Sequence, residues 1–323
     1  MISVVIGTFN RAQMVSEAIQ AALAQTQPED EIVVSNDGSR DATRAVLQAI
    51  AERHPRVRVF HQEKNSGGVA NWNFAVAQTR GDYIALCSYD DQFLPGHLRS
   101  SLEYLRAHPR IGLVHSSFVD LIEKRDSRVM APRPLHAAGP LTVDRRNLLP
   151  YLIRYYDWPF HPSTIVMRRE VWNRVGTFDI AFGLTDTDWF VRAAELFPVT
   201  MLPRHGVVNR RHAGNWSNHM GSAQMQREIF QIVERYILRR WARGPRRTGC
   251  QAAWRANVRL RLLLTLRARL KTGHVKAAAS SWEVLCQGTG RSVPAFIQRA
   301  GEVVLRGWSL RRNLRPPESV RPL

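Results

Sequence analysis

The chain has 323 residues, 44% hydrophobic, 23% charged and 9% aromatic, with a formal net charge of +19. This is globular composition with length for two domains, and it excludes a wholly disordered chain. No apolar run approaches the roughly 18 residues of a membrane-spanning helix. Three dispersed cysteines, Cys87, Cys250 and Cys286, make neither a disulfide framework nor a zinc site. A strand-like Ile2–Ile6 with no basic stretch ahead of it argues against a secretory leader, so a cytoplasmic location is expected. The charge is unevenly placed. Residues 221–323 hold 21 Lys+Arg against 5 Asp+Glu, a net +16, which leaves residues 1–220 near balance at +3.

Strand and helix signals alternate along the first hundred residues. Ile2–Ile6 reads as a strand, then Val15, Ala18, Ile19, Ala22 and Leu23 fall at helical spacing within 12–24. Glu31–Ser35 is a second strand, closed by Asn36-Asp37-Gly38, and Ala45, Val46, Ala49 and Ile50 mark a second helix. Val57–Phe60, the helical stretch 69–78 and strand Tyr83–Cys87 follow, ahead of Asp90-Asp91 and a helix starting near Pro95. This alternation predicts βαβ units and a largely parallel sheet, with ligands beyond the carboxyl ends of its strands.

Further on, Ile111–Phe118 predicts a strand, 119–145 an irregular surface excursion broken by prolines, and Ser163–Met167 another strand. Thr185–Phe197 predicts a helix that buries Trp189, Phe190 and Ala193. Beyond about 222, Arg-rich helical segments are expected at 222–242, 251–271, 274–286 and 293–307. The expected division is therefore 1–218 and a basic helical region, 219–323.

Candidate chemistry lies in the loops after the strands. Asp37, beside Gly38 and Ser39, reads either as an Asx turn or as a carboxylate accepting the imide N–H of a uracil or thymine. Thr8-Phe9-Asn10-Arg11, after the first strand, would lie next to it. Asp90-Asp91 reads as a solvated turn, or as hard oxygen ligands for Mg²⁺ or Mn²⁺ on a diphosphate. At Thr185-Asp186-Thr187-Asp188, Thr185 and Asp188 resemble a capping box, while Asp186 shares the face of Trp189 and Phe190 as a general base would. His212 follows Arg210 and Arg211, a combination suited to a phosphate or a metal. No Gly-x-Gly-x-x-Gly, Gly-Lys-Ser or Gly-x-Ser-x-Gly pattern occurs, so nicotinamide, P-loop and serine-nucleophile chemistry have no support.

The order of these pieces carries more than any one of them. Ser3-Val-Val-Ile-Gly-Thr-Phe-Asn-Arg11, Val34-Ser-Asn-Asp-Gly-Ser39, Asn65-Ser-Gly-Gly, Gly81-Asp-Tyr-Ile-Ala-Leu86, Asp90-Asp91, Phe178-Asp179, Asp186-Thr-Asp188 and Arg211-His212 resemble the family 2 glycosyltransferases. These are inverting enzymes of the α/β GT-A fold, and the resemblance covers about residues 1–218.

It implies that Thr8, Phe9, Asn10, Arg11, Asp37 and Asn65 hold the nucleotide, Asp90 the ribose, and Asp91 a Mn²⁺ or Mg²⁺ ion. It also implies that Asp186 is the catalytic base and that His212, with Arg211, lies near the phosphates and metal. Ser88 stands where many members carry a carboxylate, and Thr185-Asp186 where many read Glu-Asp. The expected partners are a nucleoside-diphosphate sugar, UDP- or dTDP-linked by preference, and a glycan or lipid-linked glycan acceptor. The alternative is a non-catalytic sugar-nucleotide or membrane-binding module on the same fold.

The +16 segment is compatible with solvent-facing capping helices or with attachment to an anionic membrane surface. Nucleic acid is not an expected partner, because no recognition motif accompanies the charge.

Overall fold

The computed structural model describes residues 1–124, 127–133, 135, 138–148 and 161–215, with isolated positions between 224 and 235. The chain divides into two compact units, Met1–His219 and Met220–Leu323. The expected helices from 251 onward, and most of 222–242, lie outside the described residues.

The first unit begins with β1 (Ile2–Thr8), α1 (Ala12–Leu23), β2 (Glu31–Asn36), α2 (Thr43–Arg53), β3 (Val57–His61), α3 (Gly68–Ala77) and β4 (Tyr83–Ser88). β1 and β2 are buried at every position, which is why they read as continuous apolar runs rather than alternating ones. α1 turns Val15, Ala18, Ile19, Ala22 and Leu23 inward onto this sheet. Then come β5 (Gln92–Phe93), α4 (His97–Ala107), β6 (Leu113–Lys124), β7 (Ser127–Pro132) and β8 (Leu141–Val143). A 3₁₀ turn at Pro162–Thr164 leads into β9 (Val166–Arg168), α5 (Arg169–Val175), α6 (Thr185–Leu196) and β10 (Val199–Arg211).

The strands form one mixed sheet in the order β3-β2-β1-β4-β9-β6-β10-β5, with β7 beside β6 and β8 beside β10. β3, β2, β1 and β4 are mutually parallel, and β6 is parallel to β10; β9 runs antiparallel to both β4 and β6. It follows that β1, β2, β4, β6 and β10 all end on one edge, and that the residues entering β9 lie there too.

Three expectations are corrected. Residues 119–145 are not an irregular excursion: β6 continues to Lys124 and pairs antiparallel with β7, from Val119↔Pro132 to Lys124↔Ser127. β7 is exposed at almost every position, so it has no two-residue alternation to read, and Pro132 ends it. The strand expected at Ser163–Met167 is a turn at Pro162–Thr164 with the strand starting at Val166. Lastly, Thr185 is not an N-cap. Leu184 holds that place without a side-chain cap, and Asp188 is turned to Arg192, Oδ2 to Nε 2.8 Å.

Candidate active site

The shared edge gathers five segments: 8–11 after β1, 36–41 after β2, 88–91 after β4, 161–163 before β9 and 210–215 at the end of β10. The first two are bound to each other. Asn10, at φ +52°, donates its backbone N–H to Ser39 Oγ (2.8 Å) and accepts the Arg40 N–H on Oδ1 (2.8 Å). Arg11 donates its backbone N–H to Thr43 Oγ1 at 3.0 Å, and its guanidinium lies 5.7 Å from the centroid of the Tyr89 ring. Phe9 is exposed, whereas Thr8 is buried with its hydroxyl unpartnered among the described residues.

Asp37 grips the next loop. Its Oδ1 accepts from the Ser66 backbone N–H and hydroxyl, both 2.8 Å, and its Oδ2 from the Gly67 N–H at 3.0 Å. Asn65 supports the same turn by accepting the Gly67 N–H on Oδ1 at 3.0 Å. Gly38 makes this approach possible: at φ +69°, a Cβ there would sit 2.9 Å from the backbone of Lys64 and Asn65. Three donors use three of about four acceptor positions on the Asp37 carboxylate, leaving one on Oδ2.

Asp90 and Asp91 are both buried. Asp90 Oδ2 accepts from His212 Nε2 (3.1 Å) and Asn215 Nδ2 (3.0 Å). Asp91 Oδ2 accepts the Ser163 hydroxyl at 2.5 Å and lies 3.5 Å from His161 Nδ1, while its Oδ1 accepts the Arg210 backbone N–H at 3.2 Å. Burial and the charge of Asp91 push the Asp90 carboxyl above the usual range, against the His212 hydrogen bond. Burial pushes Asp91 up to about 6, and its donors only partly offset this. Two adjacent carboxylates this short of water favour a cation between or beside them.

Among the described residues no three His, Cys, Asp or Glu side chains gather as a metal cage. The donor set instead suits a hard divalent ion that takes one or two protein oxygens and completes its shell on phosphates.

Asp186, half-buried in the first turn of α6, accepts the Thr187 N–H at 2.7 Å. Lost hydration raises its carboxyl above the usual range, while the Thr187 N–H and His161 act in the opposite sense. His161 is held down to about 4 by burial, so it is neutral near pH 7, although the charges of Asp186 and Asp90 favour its protonation. A single imidazole thus adjoins Asp91 and feels Asp186.

Arg211 donates its Nε to Asp120 Oδ1 at 3.0 Å, and its positive charge favours the ionised form of Asp91. The structure therefore brings Asp90, Asp91 and His212 together, and places the Asp37–Asn65 turn at the ends of β2 and β3.

Sequence reasoning missed His161, Ser163 and Asn215. The signal for the first two was Pro162: a turn entering a strand antiparallel to β4 must deliver its residues to the end of β4, where Asp91 lies.

Against known proteins, the family model described as "Glycosyl transferase family 2" matches residues 3–176. The glycosyltransferase YwdF of Bacillus subtilis is 31% identical over 210 residues, 64% of this chain and 73% of that protein. The glycosyltransferase alr2836 of Nostoc sp. is 29% identical over 239 residues, covering 70% and 69%. Among solved structures, S. aureus TarS 1-349 in complex with UDP superimposes with a TM-score of 0.61 at 14% identity, covering 99% of this chain and 94% of that one. Mannosyltransferase PcManGT from Pyrobaculum calidifontis, in complex with GDP-Man and Mn²⁺, gives 0.56 at 18% identity, covering 97% and 82%. At such identities the likeness shows the fold, which is GT-A: helices on a mixed, mostly parallel central sheet.

Proposed function

The chain belongs to glycosyl transferase family 2, and on that premise we propose that it moves a sugar, with inversion, from a UDP- or dTDP-linked donor to a hydroxyl of a glycan or lipid-linked glycan. The observation that carries this reading is Asp186, a poorly hydrated carboxylate with a raised pKa at the start of α6. Ionised, it takes the proton of the acceptor hydroxyl as that oxygen attacks the anomeric carbon. One displacement inverts the configuration and needs no protein nucleophile.

The loop Thr8-Phe9-Asn10-Arg11 and Asp37 frame the base, with Asn65 holding the Ser66–Gly67 turn. The remaining acceptor position on Asp37 Oδ2 suits the imide N–H of uracil or thymine. Asp90, held by His212 and Asn215, is the carboxylate that would contact the ribose. Asp91 is the carboxylate that would hold Mn²⁺ or Mg²⁺, with His212 close by. Bound there, such an ion would supply positive charge to offset that building on the departing diphosphate.

Release of nucleoside diphosphate from UDP-, dTDP- and GDP-sugars, with anomeric analysis of the product, tests this reading. Turnover with a UDP- or dTDP-sugar is expected, falling about 10²–10⁴-fold in D186N. Undiminished release in D186N contradicts the base; no release from any donor favours the non-catalytic binding module.

A further inference from the structure

We propose that Arg133, paired with Arg211, forms a subsite for a phosphate-class anion on the acceptor side of the catalytic edge. The acceptor assignment rests on the glycosyltransferase reading above. The two guanidiniums flank a single buried carboxylate. Arg133 Nε donates to Asp120 Oδ2 at 2.7 Å, and Arg211 Nε to Asp120 Oδ1 at 3.0 Å. Asn209 Nδ2 completes Oδ1 at 2.6 Å. Only the Nε positions are engaged, and the terminal nitrogens of both side chains have no hydrogen-bond partner among the described residues. The Arg133 and Arg211 side chains remain 42% and 37% exposed, against 9% for Asp120. Two cations on one anion leave a local surplus of +1, presented as two guanidinium forks of the kind that match phosphate oxygens.

Arg133 is not a loosely held surface arginine. Its backbone N–H donates to Phe118 O at 3.1 Å, and its carbonyl is 2.7 Å from His205 Nε2. Its guanidinium lies 5.4 Å from the Phe118 ring centroid, and that ring is 5.3 Å from His161. His161 in turn adjoins Asp91. Arg133 is thus linked to Asp91, where the donor diphosphate is assigned, through the Phe118 and His161 rings rather than by a direct contact, and we assign it to a second anionic group. That group is a phosphate carried either by a lipid-linked acceptor or by a soluble, phosphate-bearing glycan.

The test uses the full-length protein saturated with UDP and Mn²⁺. It is titrated with glycerol phosphate and, separately, with phosphatidylcholine vesicles containing a prenyl phosphate. Wild type is expected to bind at least one probe, and the preferred probe identifies the source of the phosphate. R133M should weaken that binding at least tenfold and R133K should restore only part of it, because lysine keeps the charge without the fork. UDP titration of R133M reports whether the variant is folded. Equal probe binding by wild type and R133M, or none by wild type, overturns the subsite. If wild type fails to bind UDP yet loses probe binding on R133M substitution, the donor reading fails and the anion site stands.

Discussion

Asp91 and Asp186 are set by burial in the same sense, and that has consequences for pH. Asp91 is held at about 6 against an ordinary value of 3.8, so the folded state prefers its protonated form. The resulting stability is full below about 3.8 and is lost as pH rises through about 6, a cost of roughly 3 kcal/mol at pH 7. Glu17, Glu31 and Asp120, by contrast, are shifted downward, each against the effect of its own burial. Glu17 is lowered chiefly by Arg210; Glu31 by Ser3, the Arg80 N–H and Arg58; and Asp120 by Arg211 and Arg133. Their contributions have the opposite sign and are lost on acidification.

D91N should therefore melt higher than wild type at pH 7 without nucleotide or metal, while catalysing no transfer. Melting curves from pH 4 to 8 check this, and an unchanged or lower melting temperature for D91N at pH 7 contradicts it. With Asp186 as the base proposed above, its raised pKa should place the acidic fall in kcat above the usual carboxylate range, which a pH–rate profile checks. The place of Asp186 in the first turn of α6 was legible in the sequence, because helical spacing put it on the face of Trp189 and Phe190. His161 was not, because its role depends on the pairing of β9 with β4, which no local pattern encodes.

At the scale of elements, α3 links the two ends of the site. Its N-terminal turn is gripped by Asp37, and near its middle Asn73 brackets the backbone of Phe178: Nδ2 donates to Phe178 O at 3.0 Å and Oδ1 accepts the Phe178 N–H at 2.9 Å. The same contact is packed by Trp72, Trp172 and Trp189 around the Phe178 ring, at centroid distances of 5.4–5.9 Å. Phe178 opens the stretch that leads into Asp186, so α3 fixes the approach to α6. N73A strands a donor and an acceptor and should cost about 1–3 kcal/mol. It should also speed exchange of the Phe178 amide and lower kcat more than it raises the donor KM. Unchanged Phe178 protection would contradict the coupling.

The parallel half of the sheet was readable because buried parallel strands are continuous apolar runs between amphipathic helices. The second half was harder. β7 is solvent-facing with no alternation, and β10 carries Pro203, Arg204, His205 and Gly206 where its register with β6 shifts.

For the whole molecule, the +19 separates into a nearly neutral first unit and a basic remainder. Among the described residues no helix is long and apolar enough to cross a membrane. On the reading of a lipid-linked acceptor, the +16 segment draws the enzyme to an anionic surface. Flotation with anionic vesicles should then exceed that with neutral ones and weaken with salt; equal flotation contradicts it. The composition located this charge without naming the chemistry. The chemistry lay in an ordered set of short loops, and the structure shows why those loops belong together: they share one sheet edge.

The central claim is that this edge takes a nucleoside diphosphate through Asp91 and a divalent ion. It is tested most directly by calorimetric titration of UDP, dTDP and GDP into wild type and D91N, with and without Mn²⁺. The account predicts UDP or dTDP binding that strengthens at least tenfold with Mn²⁺ in wild type and loses that gain in D91N. Absence of binding by any of the three, or binding indifferent to both Mn²⁺ and D91N, would contradict it.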